Sequence, residues 1–175
     1  MEDKKTTIKI FEKGEKVLRQ KAQDVPVDKI TSKKFQNIIK KMEKVIYEKD
    51  DALAVAAPQI GESWRITVIS EWALGPYTKK LKTEFKNMVF INPVITNASK
   101  AQKNFPEGCL SAPNSFGEVK RAEKVKVEAY DRDGNKFTRG ASGLLAQTIQ
   151  HEIDHLNGIL FIDKAENLTN PDTAG

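Results

Sequence analysis

The chain has 175 residues, 39% apolar and 30% charged, with a mean hydropathy of −0.52, a net charge of +5 and a pI near 9.2. That length supports one domain with a real core and does not divide comfortably into two, so a single catalytic domain over residues 1–175 is expected, with a polar tail from about residue 165. The balance of apolar and charged residues excludes a membrane-embedded or disordered chain.

The opening MEDKKTTIKIFEKGEK has no apolar run of signal-peptide length, and Glu2, Asp3, Glu12 and Glu15 make it too acidic for a transit peptide, so a cytoplasmic location is expected, with no membrane partner. The single cysteine, Cys109, cannot form an internal disulfide. A basic balance suits a nucleic-acid or ribosome surface, but the lysines are interspersed with acids, as in KKFQNIIKKMEKVIYEKDD, and plain solubility is the preferred reading.

In chain order, Phe35, Ile38, Ile39, Met42, Val45 and Ile46 recur at steps of three and four and predict an amphipathic helix from Thr31 to Lys49, capped by Thr31 or Ser32. The small-residue run ALAVAAPQIG, from Ala52 to Gly61, suits close backbone packing or a buried strand. RITVIS alternates like a strand, Ser70 to Asn87 is a polar, lysine-rich excursion, and MVFINPVI resumes strand character. In KVKVEAYDRDGNKF, Val125, Val127 and Ala129 alternate with charged residues and Asp133-Gly134 supplies a turn, which predicts a hairpin. Ser142 can cap a helix that starts near Gly143 and stops at Asn157-Gly158, two residues that tolerate a left-handed backbone. The last segment, ILFIDKAENLTNPDTAG, is expected to form a short apolar strand and then a polar tail.

The chemistry centres on HEIDH, from His151 to His155, which uses both histidines of the chain. Two histidines four apart on a helix present their imidazoles to one metal ion, and Glu152 then sits beside a metal-bound water. A catalytic site of this kind needs a third protein ligand. A histidine six residues after the second is ruled out by Phe161. Asp163 or Glu166 would complete a small zincin-type peptidase. Cys109, in the glycine-assisted turn PEGCLSAP, is the favoured donor, although a lone cysteine is ordinarily a small buried hydrophobe.

The three segments ALAVAAPQIG, EGCLS and QHEIDHLNG, in this order, resemble the three motifs of the peptide deformylase family, and the flanking RAEKVKVEAYDRDG and SGLLAQTIQHEIDHLNGILF extend the likeness over nearly the whole chain. The resemblance implies an α+β fold of mostly antiparallel strands around a central metal-binding helix. It also implies hydrolysis of the N-formyl group of formyl-methionine on nascent polypeptides, with release of formate. Cys109, His151 and His155 would hold one divalent metal ion, Fe(2+) favoured and Zn(2+), Ni(2+) or Co(2+) able to replace it. Glu152 would be the general acid and base, and the Gln59 side-chain amide and the backbone N–H of Leu110 would be the oxyanion donors. Glu107 would brace the metal-binding loop, and Ala54 and Gly108 would lie against substrate backbone.

Leu144 and Thr148 share a helix face with His151 and resemble one wall of the methionine pocket, or ordinary core. N-formylmethionyl peptides or nascent chains are the implied partners. The chain ends soon after Phe161 without the long C-terminal helix of some members, which weakens the case for weak ribosome association. It departs from the family pattern at Ala52 and Ala54, where glycines are usual. That departure is the only support for a silent relative that binds formylated peptides without turnover.

Overall fold

The computed structural model describes residues 7–74 and 86–169. Helix α1, Lys33–Glu48, buries Phe35, Ile38, Ile39, Met42, Val45 and Ile46, the stripe expected from their spacing. Strand β1, Ala54–Ala56, runs into a 3-10 turn, Ala57–Ile60, so the small-residue run is part strand and part turn. Strands β2, Ile66–Ser70, and β3, Asn87–Ala98, follow; most of the expected polar excursion, residues 75–85, lies outside the described residues. Then come β4, Gln102–Cys109, β5, Ala112–Ala122, β6, Lys124–Tyr130, and β7, Lys136–Ser142. Helix α2 is Gly143–Leu156, and β8 is Glu166–Thr169.

The strands form two antiparallel sheets, one in the order β1-β2-β3-β6-β7 and one in the order β4-β5-β8. Alternation along β2 and β3 decides what covers each face of the larger sheet. Val68, Val89 and Ile91 pack with α1, while Ile69 and Phe90 pack with Leu145, Ala146 and Ile149 of α2. β2 is therefore buried at every position rather than half-exposed, because a helix lies on each side. The predicted hairpin is present as β6 and β7, with Asp131 Oδ1 accepting from the backbone N–H groups of Asp133 and Asn135.

α2 is central. Its buried residues include Gln147, Thr148, Glu152, Asp154 and His155 besides the apolar ones, the pattern of a helix enclosed by protein. Its C-terminal end is held by Arg65, 8% exposed, which donates to Leu156 O and Asn157 Oδ1. Gly158 carries the left-handed turn at φ 75°, and an added Cβ there would lie 2.8 Å from the Arg19 backbone, so glycine is required twice over.

The final segment differs from expectation. Residues Phe161–Asp163 form a 3-10 turn, because the Asp163 carboxylate accepts from Leu160 N–H and curls the chain, and Leu160 and Phe161 are buried side by side rather than alternately. The start of the expected polar tail instead forms β8, which pairs with β5. Among the described residues no helix is long and apolar enough to cross a membrane.

Candidate active site

Two elements meet to make the site. α2 supplies His151, Glu152 and His155, and the β4-β5 hairpin supplies Glu107, Gly108 and Cys109 just before its turn at Leu110 and Ser111. The ligand atoms of Cys109, His151 and His155 lie within 4.8 Å of one another, with Cys109 Sγ 3.2 Å from His155 Nε2. This donor set fits a divalent metal ion: one thiolate and two imidazoles leave a fourth tetrahedral position for water or substrate. The competing carboxylates are elsewhere. Asp163 pairs with Arg19 and caps Leu160, and Glu166 is exposed on β8.

The electrostatics call for positive charge in the cluster. Burial alone would depress the His151 imidazolium, yet its hydrogen bonds to Cys109 and Glu107 outweigh that and raise its pKa to about 10, so a cation bound by His151 would take the place of that proton. Burial, reinforced by His151 and Arg121, holds His155 well below the usual range, so its imidazole is neutral and able to ligate. Glu152 is 4% exposed, and burial raises its carboxyl to about 7 against the pull of His151. Among the described residues its Oε2 has no hydrogen-bond partner, which is unusual for a buried oxygen and suits a group that exchanges a proton.

Behind the Cys109, His151 and His155 cluster runs a buried ionic chain. His151 Nδ1 is 2.9 Å from Glu107 Oε2, and Arg121 grips Glu107 with two hydrogen bonds of 2.9 Å each. Arg121 also donates to Asp154, which Lys164 approaches at 2.8 Å. Burial raises the Glu107 carboxyl, but the bonds from His151 and Arg121 outweigh it and bring the pKa down to about 2. Fixing the second imidazole nitrogen in this way orients the first toward the cluster. Glu107, expected to brace the metal-binding loop, is bonded to His151 on α2 and to Arg121 on β5. Arg121 and Asp154 were not singled out from sequence, since a charged residue in RAEKVKVEAY reads as surface; the second charge inside HEIDH was the available signal.

Gln59 is 2% exposed. Its Oε1 accepts from Ala56 N–H at 2.8 Å, so its amide nitrogen is turned toward the cluster, 3.4 Å from Cys109 Sγ and 3.2 Å from Ser111 Oγ. A cleft of about 590 Å³ opens over these groups, with Ala54, Gly108, Leu110, Leu144 and Thr148 among its lining residues. An added Cβ on Gly108 would come 3.1 Å from the exposed Phe116 ring, which would have to give by a few tenths of an ångström. Ala54 lies on β1, the edge strand of the larger sheet, on the side where an extended peptide can pair.

The polypeptide deformylase family profile matches residues 7–171. A peptide deformylase of Desulfitobacterium hafniense is 44% identical over 159 residues, covering 90% of this chain and 93% of that protein. Among solved structures, a peptide deformylase from Acinetobacter baumannii superposes with a TM-score of 0.80 at 30% identity, covering 90% of this chain and 98% of that one. One from Synechococcus elongatus, in complex with actinonin, superposes with a TM-score of 0.78 at 34% identity, covering 95% and 83%. The chain belongs to the polypeptide deformylase family, the metal-dependent enzymes that remove the N-formyl group from nascent polypeptides.

Proposed function

We propose that Cys109, His151 and His155 hold a single divalent ion, Fe(2+) by preference with Zn(2+), Ni(2+) or Co(2+) as substitutes, and that Glu152, Gln59 and the Leu110 N–H do the remaining work of deformylation. The observation that carries the proposal is the three-donor cluster beside a buried carboxylate with one free oxygen. The chemistry supplied by a bound ion is activation of a nucleophilic water and polarisation of the formyl oxygen. Glu152 takes the proton of that water as it attacks the formyl carbon. Gln59 Nε2 and Leu110 N–H donate to the oxygen on which negative charge gathers, a contribution of several kcal/mol for donors of this type. Glu152 then returns the proton to the departing amine, which leaves formate and the free N-terminus.

The peptide lies extended along Ala54 on one side and Gly108 on the other, with Leu144 and Thr148 beside the methionine side chain. The substrate reaches the site as an N-formylmethionyl peptide or nascent chain, in the cytoplasm, and the whole of residues 1–175 works as one domain. Weak ribosome association is a secondary element of the proposal, resting on the net charge of +5. Protein purified anaerobically, with its metal assayed, should release formate from a formyl-methionyl peptide; metal-loaded protein that releases none would overturn the reading. Iron beside the Cys109 thiolate should make activity decay in air faster than in nickel- or zinc-loaded samples, and equal decay would argue against this placement.

A further inference from the structure

The N-terminal segment runs along the site, with Ile10 and Glu12 among the residues that line the cleft, and touches both loops that carry the proposed oxyanion donors. Phe11 N–H donates to Gln59 O at 2.8 Å, and Lys13 N–H donates to Ser111 O at 2.7 Å. The two acceptors belong to different sheets. Gln59 follows β1 of the larger sheet, and Ser111 forms the β4-β5 turn of the smaller one. The Phe11 ring lies against Gly61, where an added Cβ would come 2.7 Å from Cε2, and Gly61 closes the 3-10 turn on which Gln59 sits. From the catalytic side the same gap is spanned by Gln59 Nε2, 3.2 Å from Ser111 Oγ and 3.4 Å from Cys109 Sγ, and that amide must also face substrate.

We infer that residues 11–13 are a positioning strap that sets the spacing between the Gln59 amide and the Leu110 N–H, and so tunes oxyanion stabilisation through the backbone bonds of Phe11 and Lys13. The inference rests on the assignment of those two groups as oxyanion donors. Its physical basis is preorganisation: two donors stabilise developing charge only when both are held at hydrogen-bond distance before the reaction, and a displacement well under an ångström weakens one of them. The strap holds one loop by each of two backbone donors. It can therefore transmit a shift that neither sheet would make alone.

The local turn allows a clean test. Glu15 N–H donates to Glu12 O at 3.0 Å, and Gly14 at φ 105° occupies the third position, while Lys13 in the second position has no positive φ. That is the pattern of a type II turn, in which proline is favoured at the second position. Lys13→Pro thus removes the N–H donated to Ser111 while suiting the turn. Kinetics on formyl-methionyl peptides, metal content and Tm would be measured for Lys13→Pro, Phe11→Ala, Phe11→Leu and Gln59→Ala.

The expected result is a drop in kcat of about fivefold for Lys13→Pro, with KM, metal content and Tm little changed. Phe11→Ala should behave likewise, with Phe11→Leu restoring most of the loss. A purely structural segment would instead lower Tm and leave kcat per metal-loaded molecule as in wild type, and that outcome would overturn the inference. Should Phe11→Ala fail to fold, Lys13→Pro alone decides. The Gln59→Ala result separates the two levels: if it retains full kcat, the oxyanion assignment itself is wrong, whereas a large loss there beside wild-type kcat in Lys13→Pro sinks the strap alone.

Discussion

The two sheets grip the central helix by different physics. The larger sheet meets α2 through apolar side chains, Ile69, Phe90, Val125 and Val127 against Leu145, Ala146 and Ile149. The smaller sheet adds Ala122 to that apolar cluster, but most of its link to α2 is polar: the chain His151, Glu107, Arg121, Asp154, with Gln147 bonded to Pro106 O and Gln150 to the Ala122 backbone. Apolar packing is non-directional and holds the helix in place within the tolerance of van der Waals contact. Charge-assisted, two-pronged hydrogen bonds are directional and hold an imidazole in one orientation. The larger sheet places α2, and the smaller sheet orients the His151 imidazole on it.

The largest effect is expected at Glu152, on α2 between the two sheets. Glu152→Gln keeps shape and packing on both sides but cannot shuttle a proton, so kcat should fall by about 10² to 10⁴-fold with metal content retained. A variant within a few-fold of wild type in a steady-state assay would remove Glu152 from the mechanism.

Arg121→Met attacks the directional side alone. It leaves Glu107 and Asp154 buried without their shared cation, and breaking a buried pair in this way costs about 3–5 kcal/mol of folding stability by denaturant titration. Metal affinity should also weaken by about 10 to 100-fold in chelator competition, since the carboxylate that orients His151 loses its anchor. An equivalent truncation on the apolar side, Ile149→Ala, should cost about 2–5 kcal/mol while leaving metal affinity per folded molecule much closer to wild type. Equal losses of affinity in the two variants would erase the distinction drawn between the sheets.

Acid provides a gentler version of the same test. The folded Glu107 carboxyl is held near 2, below its ordinary value of 4.5, so the carboxylate contributes stability that is fully present above pH 4.5 and is lost as pH falls from there toward 2. Denaturant midpoints should decline across that window, and in Glu107→Gln the decline should be smaller. An unchanged decline in the variant would assign the acid sensitivity to other groups.

The smallest effect is expected at the edge of the larger sheet. Ala54→Gly should raise kcat/KM for formyl-methionyl peptides several-fold, by letting substrate backbone approach β1 more closely, a change of about 1 kcal/mol. An unchanged or lower kcat/KM, with folding intact, would show that the methyl group is accommodated.

The same division explains what could be read before the structure. α1, the β6-β7 hairpin and α2 announce themselves through periodicity, because apolar packing leaves its spacing in the sequence. HEIDH is legible for the same reason: two ligands on one helix face keep a fixed spacing. β4 and β5 are scarcely legible, since QKNFPEGC and the polar start of β5 are largely exposed and carry no sustained alternation of apolar residues. Arg121 and Asp154 could not be assigned from sequence because charges that satisfy one another in the interior look like surface charges until their partners are located. The 3-10 turn at Phe161–Asp163 was hidden because its cause, the Asp163 side chain bonding back to Leu160, is a local polar contact within an apolar run.

In the proposed metal centre the thiol comes from the smaller sheet and the two imidazoles come from α2. The most direct test is metal stoichiometry, measured on folded Cys109→Ala beside wild type and Asp163→Ala after identical anaerobic loading and desalting. The expected result is about one ion per chain in wild type and Asp163→Ala and a substoichiometric, easily lost ion in Cys109→Ala. Full retention in Cys109→Ala, with loss in Asp163→Ala, would contradict the account and return the site to two histidines and a carboxylate.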